Sequence, residues 1–252
     1  MTKALEGLNV LVTGASGGIG AAIVQQLAAE GARPIIHYGR DKAAAEALLP
    51  AIGGVGWVVQ GDLSSCDGPF ELWKRSVAEA GRIHALVNNA GIRTEISIDA
   101  SASDWKAAWQ REFQINFFAA ADLCKEAIRH FKSNGGGRIV NMASRAGQRG
   151  YAADAMPYGS SKAALVNLTK SIARSFGGDN VTAVAIAPGW VHTDMAEEFI
   201  AAHGKATAVS DIPIGEMAEP SEVAALVAFI LRPGQASLNG ATLDVNGGSY
   251  IR

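Results

Sequence analysis

A tyrosine and a lysine stand four residues apart, at Tyr158 and Lys162, near the start of a predicted helix. This spacing places both side chains on one helix face. Tyrosine is a poor acid or base at neutral pH, because its ordinary pKa is about 10, but a neighbouring ammonium group favours the tyrosinate. The pair could therefore move a proton to or from an oxygen atom. A core-edge tyrosine beside a lysine that extends to solvent is the alternative interpretation.

A glycine-rich stretch, TGASGGIG at 13–20, follows an apolar run and opens a segment of helical spacing. Gly14 would allow a tight turn, while Gly18 and Gly20 would let the backbone approach a pyrophosphate and pack helix against sheet. The helix that follows offers free N–H groups and a positive dipole end to phosphates. The stretch predicts a dinucleotide-binding loop, with a plain tight turn as the alternative, and its predicted contacts are Gly14, Ser16, Gly17, Gly18, Ile19 and Gly20.

Apolar runs alternate with segments of helical spacing along the whole chain. The runs are continuous rather than every-other-residue, which is typical of a parallel sheet covered by helices on both faces. We therefore predict an α/β fold, a single-domain Rossmann-type doubly wound sheet spanning 1–252, with at least six helices. Its seven strands are expected at 8–12, 34–37, 56–59, 83–87, 138–142, 181–187 and 241–245.

Two long helices are predicted in the second half. The first runs from about residue 101 to 131, and the second starts near Pro157, where proline suits a first helical position, and ends at about residue 176. Both are apolar around much of their circumference, so we expect a homo-oligomer. One buried face is expected along the first helix, formed by Trp109, Phe113, Phe117, Ala120, Cys124, Ala127 and Phe131.

The residues after the predicted strands are polar or expose backbone at one sheet edge, where doubly wound sheets bind ligands. Together with Tyr158 and Lys162 they occur in a fixed order, and this ordered set resembles the short-chain dehydrogenase/reductase family over essentially the whole chain. The similarity includes 3-oxoacyl-(acyl-carrier-protein) reductases and carbonyl reductases. The motifs are the glycine turn at 13–20, Asn-Asn-Ala-Gly at 88–91, Asn116, Ser144, Tyr158-Gly-Ser-Ser-Lys162 and Pro-Gly at 188–189.

The resemblance implies hydride transfer between a nicotinamide and a carbonyl/secondary alcohol pair. It implies that Tyr158 is the general acid and base, that Lys162 holds the nicotinamide ribose and lowers the tyrosine pKa, and that Ser144 holds the substrate oxygen. Asn116 would hold a water that relays protons from Lys162. Besides the glycine turn, Tyr158 and Lys162, it implies cofactor contacts at Asp62, Leu63, Asn89, Ala90, Gly91, Pro188, Gly189, Val191 and Thr193.

Cofactor choice depends on the end of the second strand. Tyr38 occupies the position where an acidic residue would bind the ribose of NAD, and Arg40 follows it. The carboxylate is missing from that position and a guanidinium is near, which suits a 2′-phosphate, so NADP(H) is favoured. NAD(H) stays possible, because Asp41 could either cap the next helix or face the ribose.

The composition of the chain limits the classes of partner that it could bind. A net charge of -2 without a basic block argues against nucleic acid, and no apolar run has the length of a membrane span. Residues 1–8 lack the apolar core of a signal peptide, so a cytoplasmic protein acting on a small carbonyl or alcohol is expected, without a metal.

The substrate is poorly marked in the sequence. Residues 193–215 are predicted to form a lid. Arg93, Arg145 and Arg149 could attract an acidic substrate such as a carboxylate or an acyl phosphopantetheine, but solvated surface arginines are the preferred interpretation. The open alternatives are a 3-oxoacyl-thioester reductase, an NAD-linked sugar or polyol dehydrogenase and, remotely, a non-enzymatic nucleotide-sensing scaffold. A tetramer would follow from the family resemblance alone.

Overall fold

The computed structural model describes residues 3–252. Met1 and Thr2, which begin the stretch without a signal-peptide pattern, lie outside the described residues. The strands are β1 (Asn9–Val12), β2 (Arg33–Tyr38), β3 (Trp57–Gln60), β4 (Ala85–Asn88), β5 (Gly137–Met142), β6 (Val181–Pro188) and β7 (Thr242–Val245). The helices are α1 (Gly18–Ala29), α2 (Lys42–Ala51), α3 (Gly68–Ala80), α4 (Ala102–Phe113), α5 (Ala119–Ser133), α6 (Ala146–Arg149), α7 (Met156–Phe176), α8 (Asp194–His203), α9 (Lys205–Val209) and α10 (Pro220–Leu231).

The strands form one seven-stranded parallel sheet in the order β3-β2-β1-β4-β5-β6-β7. The chain starts in the middle of the sheet, builds one half outward to β3, and then returns to β4 beside β1. This arrangement confirms the predicted doubly wound α/β fold. The carboxyl ends of all strands consequently lie at one edge, and the direction of building reverses between β1 and β4.

Each face of the sheet carries its own hydrophobic core. Val10 and Val12 of β1 pack on one face with residues of α1 and α10, whereas Leu11 packs on the other with residues of α3 and α5. This burial on both faces explains why the strands read as continuous apolar runs. Within residues 3–252, none of the helices combines the length and apolarity needed to cross a membrane.

The predicted helix 101–131 is interrupted by a π-helical segment, Gln114–Phe118, between α4 and α5. The expectation of one buried face is therefore only half right. Of the predicted face, Ala120, Cys124, Ala127 and Phe131 are buried, but Trp109, Phe113 and Phe117 are only partly buried. A π turn inserts one residue into the helix, so the side chains that precede the turn are rotated about the helix axis. Ala108, Glu112 and Asn116 are buried instead.

Candidate active site

A cavity of about 850 Å³ opens at the carboxyl edge of the sheet, across the point between β1 and β4 where the building direction reverses. Most of the predicted site residues line it. Gly20, Tyr38 and Asn116 do not belong to its wall. The predicted residues that line it are Gly14, Ser16, Gly17, Gly18, Ile19, Arg40, Asp62, Leu63, Asn89, Ala90, Gly91, Ser144, Tyr158, Lys162, Pro188, Gly189, Val191 and Thr193.

The glycine turn is packed so closely that it leaves no room for side chains at two positions. A Cβ at Gly14 would lie 2.8 Å from the Cα of Ala90, and the φ of +60° there also favours glycine. A Cβ at Gly20 would lie 2.2 Å from the Gly14 carbonyl oxygen. Gly20 therefore brings α1 against the turn, while at Gly17 a Cβ would meet nothing within 4 Å. The turn can thus present bare backbone at the start of α1, as a pyrophosphate requires.

Hydrogen bonds fasten this turn to the end of β4. The Thr13 hydroxyl accepts from the backbone N–H groups of Asn89 and Ala90 at 2.9 and 3.0 Å. In return, the Asn89 amide donates to the Thr13 and Gly14 carbonyl oxygens at 2.9 and 3.0 Å. Asn89 thus holds the wall of the cavity together from both halves of the sheet.

His37 fixes the turn from the other side, a role that sequence reasoning missed because the histidine ends an apolar run. Its Nδ1 accepts from the Gly14 N–H at 2.9 Å, so the other nitrogen, Nε2, carries the proton and donates to the Gly61 carbonyl at 3.1 Å. The ring is only 2% exposed, and burial lowers the pKa of His37 to about 4. The neutral ring therefore joins the ends of β1, β2 and β3.

This tether predicts acid sensitivity. The unfolded chain takes up a proton at His37 near pH 6.5, while the folded chain resists until about pH 4, so stability should fall between these values by roughly 3 kcal/mol. We expect urea unfolding curves of wild type to show this loss. In His37→Asn, whose amide oxygen can still accept from Gly14 but does not titrate, the loss over this window should shrink by about that amount. Parallel pH profiles for the two proteins would contradict the assignment.

Tyr158 and Ser144 face the same part of the cavity from α7 and from the end of β5. Ser144 is 7% exposed, and its hydroxyl accepts from the Ala146 N–H at 3.1 Å, which orients it at the strand end. Burial raises the pKa of Tyr158 to about 12, and a hydrogen bond with Ser144 opposes this rise. The tyrosine therefore holds its proton at neutral pH among these residues, and the lowering of its pKa that the family resemblance implies stays a prediction.

Lys162 lies beside Tyr158, and its ammonium group is engaged by the backbone. Its Nζ donates to the Met142 carbonyl oxygen at 2.8 Å and lies 5.8 Å from the centre of the Tyr158 ring. The side chain is buried, and this lowers the pKa of Lys162 to about 8, while the Glu112 carboxylate acts against the decrease. Desolvation therefore outweighs any effect of the lysine on the tyrosine.

Asn116 lies behind the cavity wall, where the π turn places it. Its Oδ1 accepts from the Ile92 N–H at 2.8 Å, and its Nδ2 lies within hydrogen-bonding distance of the Ile92 carbonyl, Glu112 Oε1 and Ser161 Oγ, at 2.9, 2.9 and 3.2 Å. These contacts fasten the loop after β4 to the helix that carries Lys162. The predicted water relay stays a prediction.

Glu112 is a buried carboxylate that sequence reasoning missed, because it occupies a helix position with no motif. It is completely buried and accepts from the Thr94 N–H at 3.0 Å as well as from Asn116. Burial raises the pKa of Glu112, and the Thr94 hydrogen bonds counteract this. Only its one-turn spacing from Asn116 could have drawn attention to it.

The part of the cavity beside the ends of β2 and β3 is lined by Arg40 and Asp62. Arg40 is exposed at the end of β2, and Asp41 beside it caps α2 by accepting from the Ala44 N–H at 2.9 Å. Tyr38 packs against the core on the α1 side instead of facing the cavity. The Asp62 carboxylate accepts from the Ser64 N–H and hydroxyl, which lowers the pKa of Asp62.

Arg93 and Arg145 line the cavity and are not solvated surface arginines, which corrects the sequence-based interpretation for these two; Arg149 is exposed, as that interpretation expects. The side chains of Arg93 and Arg145 are 11% and 4% exposed, and that of Arg149 is 31% exposed. Arg145 and Arg149 pair with the two oxygens of Asp211 at 3.1 and 2.7 Å. Sequence alone could not show this, because Asp211 is more than 60 residues away.

Comparisons with known proteins agree with this geometry. A family model described as enoyl-(acyl carrier protein) reductase matches residues 14–250. The chain is 34% identical to the 3-oxoacyl-(acyl-carrier-protein) reductase FabG of Vibrio cholerae over 248 residues, covering 98% of this chain and 99% of that protein. It is 36% identical to cis-4-hydroxycyclohexanecarboxylate dehydrogenase of Sinomonas cyclohexanicum over 250 residues, 98% of each chain. A solved short chain dehydrogenase from Burkholderia cenocepacia, in complex with NADP, superimposes with a TM-score of 0.88 at 34% identity, covering 98% of this chain and 99% of that one.

Proposed function

The chain belongs to the short-chain dehydrogenase/reductase family and is an oxidoreductase, and on that premise we propose that it interconverts a carbonyl compound and a secondary alcohol with NADP(H), using Tyr158 as general acid and base. One observation carries the proposal: Tyr158, Ser144 and Lys162 line the same cavity as the glycine turn. A nucleotide-sensing scaffold would have no need of this second group of residues.

Each residue of the proposed site has its own role in the reaction. When bound, the nicotinamide supplies or accepts the hydride. During reduction Tyr158 Oη gives its proton to the substrate oxygen, which the Ser144 hydroxyl holds by a hydrogen bond. Because burial raises the pKa of Tyr158 to about 12, the proton is present throughout the neutral range. Lys162 offers its ammonium group to the nicotinamide ribose hydroxyls.

The bare backbone at the glycine turn suits a pyrophosphate, and the arrangement at the end of β2 favours NADP(H) over NAD(H). Asp41 is engaged as a helix cap, and Arg40 lines the cavity with an exposed guanidinium that can pair with a 2′-phosphate. We propose that Asp62 and Leu63, which line the same cavity, hold the adenine. The crystallised relative that holds NADP supports the same choice.

This choice predicts a tenfold preference, or about 1.4 kcal/mol, for NADPH over NADH when each is titrated by nicotinamide fluorescence. Arg40→Gln should weaken NADPH binding by about tenfold and leave NADH binding, the matched control, unchanged. Tighter NADH binding by wild type would overturn the proposal, as would an equal loss for both nucleotides in the variant.

Relatives support two substrate classes, 3-oxoacyl thioesters and hydroxycarboxylates, through the names of the Vibrio and Sinomonas proteins. The family model's description also names enoyl reductases, but the Vibrio and Sinomonas relatives are a 3-oxoacyl reductase and a hydroxycarboxylate dehydrogenase. We therefore place the reaction at a C=O bond.

The segment 193–215, with α8 and α9, is proposed as the substrate lid.

We also keep a homo-oligomer as a proposal. Phe113, Phe117 and Phe118 form a run of aromatic contacts along the π turn, and Phe118 is 49% exposed. An aromatic surface of this kind is typical of subunit contacts.

A further inference from the structure

Arg93 is a nearly buried cation in the cavity wall. Its guanidinium carbon lies 5.6 Å from the centre of the Tyr151 ring and 5.7 Å from that of Phe199. One terminal nitrogen donates to Glu95 Oε1 at 2.7 Å. The Nε–H is buried and has no hydrogen-bond partner in the part of the chain that the structure describes. A buried donor without an acceptor is unfavourable, so a ligand that supplied one would be stabilised here.

Arg93 lies close enough to Tyr158 for one substrate to contact both residues. The Tyr151 ring contacts both Arg93 and Tyr158, since its centre is 5.6 Å from the Arg93 guanidinium carbon and 5.7 Å from the centre of the Tyr158 ring. All three side chains line the one cavity that also holds Ser144 and Lys162. A substrate whose oxygen lies beside Tyr158 could therefore extend past one aromatic ring and reach Arg93.

The surroundings do not neutralise this positive charge. Glu95, the partner of Arg93, is about half exposed and so remains largely hydrated. Asp211 offers a single carboxylate to both Arg145 and Arg149, and Arg145 is almost completely buried in the same wall. Arg93 and Arg145 belong to the cavity wall, whereas Glu95 and Asp211 do not, so the wall presents positive charge at this point.

We propose that the substrate carries a carboxylate that binds beside Arg93, several bonds away from the carbonyl or hydroxyl group at Tyr158. This inference rests on the proposed function and specifies its substrate class as oxo- and hydroxycarboxylates. A guanidinium in a poorly hydrated wall recognises a carboxylate by charge-assisted hydrogen bonds. A 3-oxoacyl thioester, in contrast, has no charge near its reacting carbonyl.

The experiment compares three ketones with NADPH: 4-oxocyclohexanecarboxylate, its methyl ester and the acetoacetyl thioester of N-acetylcysteamine. We expect wild type to prefer the acid over the ester by at least about tenfold in kcat/KM. Arg93→Met should lower kcat/KM for the acid by about 100-fold and change that for the ester by less than about threefold, because only the acid loses a charged partner. Arg93→Lys should recover part of the loss. Arg129→Met, which removes an exposed arginine of α5 outside the cavity, is the control.

A binding measurement keeps the test independent of turnover. In the presence of NADP, cyclohexanecarboxylate should raise the melting temperature of wild type more than cyclohexanecarboxamide does, and Arg93→Met should abolish this difference. The inference is overturned if the ester or the thioester is preferred, if Arg93→Met lowers all three substrates equally, or if acid and amide stabilise the protein alike. If none of the ketones is reduced, the proposed function fails, and the melting comparison still decides whether Arg93 binds a carboxylate.

Discussion

Replacing Tyr158 with phenylalanine should lower kcat by about 1,000-fold, the middle of the range that a positioned general acid contributes. The change removes only the hydroxyl, so the ring contact with Tyr151 and the position of Lys162 should persist. Nucleotide affinity should therefore stay within about threefold of wild type. The measurement is steady-state reduction of a ketone that wild type accepts, combined with NADPH titration.

The neighbouring phenol offers a matched control for Tyr158. Tyr151→Phe removes a hydroxyl from the same cavity but not from the residue proposed to donate the proton, so kcat should fall by less than about tenfold. Turnover by Tyr158→Phe at the wild-type rate would exclude the mechanism. Loss of nucleotide binding along with turnover would instead assign Tyr158 a structural role.

A methyl group at Gly20 should destabilise the protein by about 3 kcal/mol and weaken NADPH binding by at least about 100-fold. The added Cβ would lie 2.2 Å from the Gly14 carbonyl and 2.7 Å from the Asn89 amide, so the turn or α1 must move. Denaturant unfolding and nucleotide titration of Gly20→Ala measure the two effects.

Gly17→Ala is the matched control, because the same methyl group there meets nothing within 4 Å and the backbone is extended, with a φ of -165°. Its free energy of unfolding should stay within about 0.5 kcal/mol of wild type. Equal stability of Gly20→Ala and wild type would show that α1 does not depend on this close approach.

The fold could be predicted from sequence because its signals are local. Continuous apolar runs marked all seven strands to within a few residues, and Pro157 marked the start of α7. The π turn at Gln114–Phe118 was not predictable, since a helix with one inserted residue keeps nearly the same pattern of apolar positions. Its effect appears only in which side chains are buried.

The residues of the candidate site likewise fall into those that the sequence could indicate and those that it could not. Tyr158, Lys162 and the glycine turn were found because their spacing has a chemical meaning. Glu112, His37 and the burial of Arg93 were missed, because each depends on partners that are distant along the chain or carry no motif. The effect of burial on the pKa of Tyr158 was also missed, because spacing reveals a neighbouring charge but not the loss of hydration around it.

The order of the strands has a consequence for how the molecule assembles in time. Strands β1 to β3 and strands β4 to β7 each pair with their immediate successors or predecessors, whereas the pairing of Val10 with Ala85 joins segments far apart in the chain. Contacts of such separation are the slowest to form. The cavity crosses the boundary between β1 and β4, so it forms only after the two halves of the sheet have paired. Bound nucleotide would therefore lower the rate of unfolding, but it would not raise the rate of folding, because its site forms only after the rate-limiting contacts.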